Sequence, residues 1–503
     1  MKLFLDRAAA KIISILFTLF VILYSLANLL FTVYQCNLVD NSSHYRFNTP
    51  LHYGLLLVIL LLIFFKKWRF SSRRALYLFL TVIVLFGFVW VLMNPQGFGE
   101  YADPYNVYRS ARQVVHGDYS VLGYKSYINT YPNNLGLLSI LVLYFKFFGE
   151  KAALFFRLSN VLMVAVGYLG LYKISERLFH SEELQRYLLL LFCAASQYIF
   201  LAYFVYGNAF SYTLGIVSCY FFIVYLQERQ IFSLGLAILM VLLSILVKNN
   251  SLILLVAMLA YLVLDVCHRR KLVYSLLAII LLVSGAWLVS EGVIRFYEKR
   301  GEISYANRLP KKAWLAYGLN YDERHPGGYL SYFEQYHVDN DYVVEYTEEY
   351  IQQFMDGVLT AFRQRPYLIP LFYARKMAVA WADPEFEVLS VYRASHNLPQ
   401  DLVHEFPSWS RDVAAGESHA FLQNLWDEGA SLMAIGLLLY LLDKKEKKLT
   451  EYFPAVIVIG GFLFHSFWEV KSIYLYQYYL FLLPYAAYGY TKFPQHGNKK
   501  MFV

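Results

Sequence analysis

The chain has 503 residues, 58% of them hydrophobic and 19% aromatic but only 16% charged, against about 25% charged in an ordinary soluble domain. That balance excludes a soluble globular protein. The net charge of +8 does not point to nucleic acid either, because the cations fall in short clusters between apolar segments: Lys66, Lys67, Arg69, Arg73 and Arg74, then His268, Arg269, Arg270 and Lys271, then Lys444, Lys445, Lys447 and Lys448. Such clusters mark the cytoplasmic loops of a polytopic membrane protein.

Lys2, Arg7 and Lys11 place the N-terminus on the cytoplasmic side. Apolar runs at 12–34 and 51–65 predict a helical hairpin, and the first is retained rather than cleaved, since no small-residue cleavage site follows it. A helix at 75–93 then delivers the polar stretch GEYADPYNVYRSARQVVHGDY, beginning at Gly99, to the outer face. Helices near 152–173, 186–204, 208–226, 232–247 and 250–266 alternate across the membrane with short loops. This alternation puts both ends of the apolar segment 134–149 outside, so it is expected to lie at the interface or dip partly in; the alternative is an ordinary span with another crossing misplaced. After a helix at 272–291, residues 292–425 are too many for an unstructured loop and predict an extracytoplasmic domain of mixed structure, helical in YVVEYTEEYIQQFMDGVLTAFRQ. Helices at 426–442, 449–466 and 472–491 return the C-terminus to the cytoplasm.

The expected class is therefore an all-α integral membrane protein of the plasma membrane with about twelve crossings. Its units are a hairpin at 1–74, a membrane module at 75–291 with a first outer loop at 94–133, the outer domain at 292–425, and a three-helix segment at 426–503.

Outward polar residues are the candidates for chemistry. Asp103 precedes Pro104, which suits the first position of a helix. The carboxylate can cap that helix, or act as a general base on an incoming hydroxyl, and the two roles are compatible. Tyr105, Tyr108, Arg109 and Arg112 share a helix face that suits the phosphate of an anionic lipid, or that merely rests on headgroups. Arg157 and Asn160 sit near the outer end of an apolar helix. Lys248, Asn249 and Asn250 interrupt an apolar run, forming either a tight outer turn or a cavity-facing cation. His465, Glu469 and Lys471 precede the last helix on the outer side, where Glu469 and Lys471 can also simply pair. His337, Asp339 and Asp341 do not supply a full ligand set, so a divalent metal has no support in the sequence and no cofactor is assigned. There is no Walker loop and no nucleophile elbow. Cys193 and Cys219 fall inside apolar segments and Cys36 and Cys267 at the ends of others, which shows no disulfide framework.

In order and spacing, AD followed by VYRSARQVVHGDY, then YPNNLGLL, FGEKAALFFRLSNVL, ILVKNNSLI and HSFWEVKSIYLYQYYLFLLPYAAYG resemble the polytopic glycosyltransferases of the GT-C fold. The branch is the one similar to protein O-mannosyltransferases and the aminoarabinose transferases of lipid A. The resemblance implies transfer of a sugar from a polyprenyl-phosphate donor to a cell-envelope glycan, glycolipid or protein on the outer face, with Asp103 as base. It implies further that Tyr131, Asn133 and Asn134 lie near the donor, and that Arg157, Lys248, Asn249, His465, Glu469 and Lys471 line the lipid-phosphate cavity. Three features depart from the family: a hairpin precedes the acid, Pro104 stands where many relatives pair a second acid, and Tyr131 to Asn134 stand where some have Lys and two prolines. A lipid-linked sugar flippase is the competing class; it would place polar groups on both faces and near midplane. An envelope polymerase or ligase of another fold would use similar outer cations.

Overall fold

The computed structural model describes residues 2–35, 43–65, 70–94, 103–268, 271–389, 409, 412–413 and 416–492. The basic clusters at 66–69 and 269–270, Cys36, and the part of the outer domain at 390–408 lie outside the described residues.

The chain begins with α1 (Lys2–Leu30), whose apolar run satisfies its own backbone in lipid as a helix. The helix expected over 12–34 stops at Leu30. Phe31–Gln35 (β1) pairs antiparallel with Ser43–Phe47 (β2), Phe31 facing Phe47, because FTVYQ is rich in the aromatic and β-branched residues that favour strands. α2 (Pro50–Phe65) and α3 (Ser72–Leu92) complete the N-terminal part. α4 (Asp103–Val115), the short α5 (Tyr127–Thr130) and α6 (Leu135–Phe148) follow. The membrane module continues with α7 (Ala152–Phe179), α8 (Glu182–Ala194), α9 (Asn208–Glu228), α10 (Ile231–Val247), α11 (Leu252–Cys267) and α12 (Leu272–Trp287).

Among the described residues, seven helical stretches are long and apolar enough to cross a membrane, or eight if the bent pair Glu182–Ala194 and Ser196–Tyr203 is one span. α2 and α10 are shorter apolar helices, so the count is compatible with twelve crossings. The helix expected over 186–204 is thus broken at Ala195. The stretch Pro132–Phe179 counts as one of the seven, yet it folds back at Gly149. The rings of Tyr144 and Phe156 lie 5.2 Å apart, where twelve residues of straight helix would separate them by about 18 Å.

The bundle has one end at which Asp103 sits and an opposite end at which the described cations Arg73, Arg74, Lys271 and Lys444 to Lys448 gather, together with the start of α1. α6 begins against the end of α10, where a Cβ on Gly136 would meet the Leu246 carbonyl oxygen at 1.8 Å. It ends with Phe148 stacked on Phe155 at the start of α7. Asn160 of α7 donates to the carbonyls of Ala202 and Phe204 just before α9, and Ser211, Ser244 and Ser251 join the start of α9 to the end of α10. Both ends of α6 therefore lie at the Asp103 end.

The predicted helix 272–291 turns into a π-helical segment at Leu288–Gly292 and runs on as α13 (Val293–Gly301). Beyond it lie α14 (Lys312–Gly318), α15 (Ser331–Asp339), α16 (Val344–Gln364) and α17 (Leu368–Trp381). The described part of 292–425 is thus helical rather than mixed. The strands that cover it come from the N-terminal hairpin: the Ser43 amide donates to the Arg324 carbonyl and the Val33 amide to the Ala382 carbonyl, both at 2.8 Å. α18 (Glu417–Leu441), α19 (Phe453–Phe467) and α20 (Ser472–Tyr490) close the bundle. α1 packs on this C-terminal set, with Phe20 against Phe462 and Phe17 against Tyr440 and Tyr485.

Candidate active site

Three chain breaks at the Asp103 end converge. The first is the start of α4, which carries Asp103. The second is Lys248, in an extended conformation between α10 and the short 3-10 turn Asn249–Ser251. The third is the turn 468–471 between α19 and α20. The carboxylate of Asp103 is exposed and accepts a hydrogen bond from the Tyr206 hydroxyl at 3.1 Å. The Tyr206 and Tyr127 hydroxyls are 3.3 Å apart, and the Asn134 amide donates to Tyr127 at 3.0 Å. The directions agree: Asn134 donates to Tyr127, Tyr127 to Tyr206, and Tyr206 to Asp103.

Tyr206 also fixes the cation. The Lys248 ammonium lies 4.2 Å from the centre of its ring and 5.7 Å from that of Tyr474, within the range of cation–π attraction. No hydrogen bond or ion pair holds that ammonium among the described residues. Burial pulls its pKa from 10.5 down to about 7, against the opposing pull of Asp103 and Glu469. Glu469 is 5% exposed, and burial pushes its pKa up to about 7, with Lys471 opposing and Asp103 and Glu387 reinforcing. Lys471 behaves oppositely to Lys248: burial would lower it, but Glu469, Glu387 and Asp103 together raise it. The site thus holds one firmly charged ammonium and one whose proton is loosely held.

The last turn is anchored from two sides. Ser472 donates its amide to Glu387 at 3.0 Å and its hydroxyl to Asp383 at 2.6 Å, the acids coming from a turn in which Phe386 and Glu387 adopt left-handed φ of 48° and 54°. The Lys376 ammonium, 3% exposed, donates to the carbonyls of Gly318, Ser466 and Trp468 at 2.7, 3.0 and 2.9 Å. The Glu469 amide donates to the Trp314 carbonyl at 2.9 Å, so α14 and α17 are tied directly to the turn. Above it Tyr131 donates to Glu334 at 2.8 Å, and Tyr329, which also donates to Glu334, lies 5.9 Å from the Lys471 ammonium.

Beside Lys248 and Glu469 opens a lateral cavity of about 470 Å³. Asn133, Asn249, Asn250, Leu246, Ile253 and Val289 are among the residues that line it, together with the charged Glu291, Arg308 and Lys311. The π-helical turn 288–292 contributes to this wall; such turns recur at functional sites.

The predicted residues divide. Asp103, Asn134, Lys248, Glu469 and Lys471 come together, with Tyr131 in the roof and Asn133 and Asn249 in the cavity. His465, buried, donates from Nδ1 to the Glu469 carbonyl at 2.9 Å and so supports the turn. Arg112 is paired with Glu150 at 3.0 Å at the far end of α4, Arg109 is exposed, and Tyr105 is half-buried on the same outer face. Arg157 lies over the Tyr203 ring at 4.0 Å and donates to the Asn94 carbonyl at 3.5 Å, securing the end of α3. His337 is a core residue, bonded to Thr347 and to the Asn307 carbonyl. Among the described residues no group of three or more His, Cys, Asp or Glu side chains is set to hold a metal ion. Sequence reasoning missed Tyr127, Tyr206, Tyr474, Glu387 and Lys376. The one available signal was Gly207, which interrupts an apolar run directly after Tyr206; it has φ +78°, and a Cβ there would meet the Val247 side chain at 2.4 Å, so glycine lets Tyr206 approach Lys248.

The family model that matches is described as dolichyl-phosphate-mannose-protein mannosyltransferase and covers residues 136–290. Over that stretch, which includes Tyr206 and Lys248, the chain is similar to a family of membrane glycosyltransferases, in agreement with the resemblance its motifs carry. Two solved structures are similar at 13% identity. The archaeal oligosaccharyltransferase AglB from Archaeoglobus fulgidus, in complex with an inhibitory peptide and a dolichol-phosphate, has a TM-score of 0.39 over 82% of this chain and 50% of its own. The arabinosyltransferase EmbB from Mycobacterium smegmatis has a TM-score of 0.35 over 90% of this chain and 46% of its own. The chain thus spans about half the length of each. No curated protein matches it.

Proposed function

We propose that the protein transfers a sugar from a polyprenyl-phosphate donor to a cell-envelope acceptor on the outer face of the membrane. The observation that carries this reading is the convergence of Asp103, Lys248 and Lys471 next to a cavity that their chain neighbours Asn249 and Trp468 help to line. In this reading the donor's chain occupies the cavity and its phosphate lies between the two ammonium groups. A phosphate there strengthens the hold of Lys248 on its proton.

Asp103 takes the proton from the acceptor hydroxyl as its oxygen bonds to the anomeric carbon. The bond from that carbon to the phosphate oxygen breaks, and polyprenyl phosphate leaves with the electron pair. Its growing negative charge is met by cations already in place. Single displacement of this kind needs no covalent enzyme intermediate. Tyr206 orients the base, and the Asn134–Tyr127–Tyr206 chain keeps that hydroxyl pointing at Asp103.

The test is release of polyprenyl phosphate from polyprenyl-phosphate mannose and glucose by the protein in nanodiscs. Lys471→Met is expected to lower donor affinity at least tenfold. Unchanged affinity in that variant, with intact folding, would remove the phosphate from this position.

A further inference from the structure

Glu469 is 5% exposed, yet its charged end is unmatched. Its backbone is bonded on both sides, the amide to the Trp314 carbonyl and the carbonyl to His465 Nδ1. No hydrogen bond or ion pair reaches its carboxylate among the described residues, and the pairing with Lys471 that the sequence allows does not form. Buried carboxylates are rarely left so. Neither oxygen is among the enclosed polar atoms without a partner, so the little surface that Glu469 keeps includes the carboxylate, and a ligand can reach it.

The Tyr474 hydroxyl has the same character. Its ring lies 6.1 Å from that of His465 and 5.7 Å from the Lys248 ammonium, between centres, while its oxygen is neither bonded among the described residues nor enclosed. Both groups face one space. The Glu469 carboxylate is within electrostatic reach of Lys471, Asp103 and Lys248, and the Tyr474 hydroxyl within reach of Glu469, Tyr206 and Asp103. With the donor phosphate between the two ammonium groups and the acceptor hydroxyl at Asp103, the space that these groups bound belongs to the sugar passing between them.

The chemistry of the two groups suits such an occupant. A carboxylate only accepts, and its two oxygens can take two adjacent hydroxyls, while a phenol both donates and accepts. Hydroxyls donating to the carboxylate would also favour its charged form. A carboxylate on the sugar would instead face Asp103, Glu387 and Glu469 with the two ammonium groups taken by phosphate. Lys376, the other cation within reach of Glu469, is committed to three carbonyls.

We propose that Glu469 and Tyr474 form the subsite for the transferred sugar, the carboxylate accepting from its hydroxyls, and that this sugar is neutral rather than acidic. The assignment rests on the glycosyl-transfer reading above.

The experiment is equilibrium binding to the full chain in nanodiscs. Four probes are compared: polyprenyl-phosphate glucose, mannose and glucuronate, and polyprenyl methyl phosphate, which keeps the phosphodiester charge and lacks the sugar. Glu469→Gln is expected to weaken binding of the tighter neutral donor at least tenfold and to leave the methyl ester within threefold of wild type. Tyr474→Phe, which keeps the ring beside Lys248, should shift the same ratio at least threefold. The glucuronate donor should bind wild type at least tenfold more weakly than the glucose donor. Equal loss of donor and methyl ester would mean a displaced turn and overturns the proposal, as does an unchanged ratio of the two in both variants. Glucuronate bound as tightly as glucose overturns the neutral sugar. If wild type binds neither donor nor methyl ester, the glycosyl-transfer reading falls, and the sugar subsite with it.

Discussion

Replacing Asp103 by Asn separates the two roles open to this residue. The amide keeps the size of the side chain and can still accept the hydrogen bond that Tyr206 donates at 3.1 Å, so the local geometry survives. What is lost is a charge at the first turn of α4, worth about 0.3–1 kcal/mol against the helix dipole at an exposed position, plus the extra strength of a charge-assisted bond. Stability should therefore fall by about 1 kcal/mol. Loss of a general base costs on the order of 10²–10⁴ in rate, or about 3–5 kcal/mol of barrier. Asp103 also helps Lys248 keep its proton, so the variant should bind donor somewhat more weakly at neutral pH. The assay is single-turnover transfer from saturating polyprenyl-phosphate sugar in nanodiscs, with a thermal melt on the same sample. A rate within threefold of wild type, with the 1 kcal/mol of destabilisation present, would reduce Asp103 to a cap and refute the argument.

Burial pulls the Lys248 pKa down to about 7, so donor affinity should weaken as pH rises above neutrality; Lys248→Arg, charged throughout, should bind donor with a flat profile between about pH 6 and 9, as measured by equilibrium binding. Gly207→Ala places a side chain at φ +78° against Val247 and should cost about 1–3 kcal/mol, lowering both the melting temperature and the rate by displacing Tyr206. Lys376→Met leaves the carbonyls of Gly318, Ser466 and Trp468 short of a donor. It should destabilise by about 3 kcal/mol or more, visible as earlier melting and faster proteolysis between α14 and α17.

The alternation of apolar runs and basic clusters made the bundle legible. It also anticipated that both ends of α6 lie at one end of the bundle, because the Lys and Arg clusters in short loops set the parity of the segments between them. Asp103, Lys248, Glu469 and Lys471 stood out individually because a charged residue at the edge of a span is costly; that they share one site was implied only by the family resemblance. The tyrosines did not stand out, since among 46 of them no spacing marks Tyr206 or Tyr127 as facing a carboxylate. Lys376 was hidden because it is satisfied by backbone carbonyls from segments 58 and about 90 residues away. The strand at Phe31 was lost inside a run whose hydropathy fits helix and strand equally well. Arg112 misled because pairing with Glu150 is invisible until α4 and α6 are laid side by side.

The bonds that join Lys376 and Trp314 to the turn 466–469 set a rule for engineering. A chimera that takes α14–α17 from one parent and α19–α20 from another would inherit a lysine shaped for one loop and a loop shaped for another lysine. Recombination should succeed only when the crossover points keep 312–389 and 464–472 together, and a library shuffled at either junction would report that linkage as a gap in its functional members.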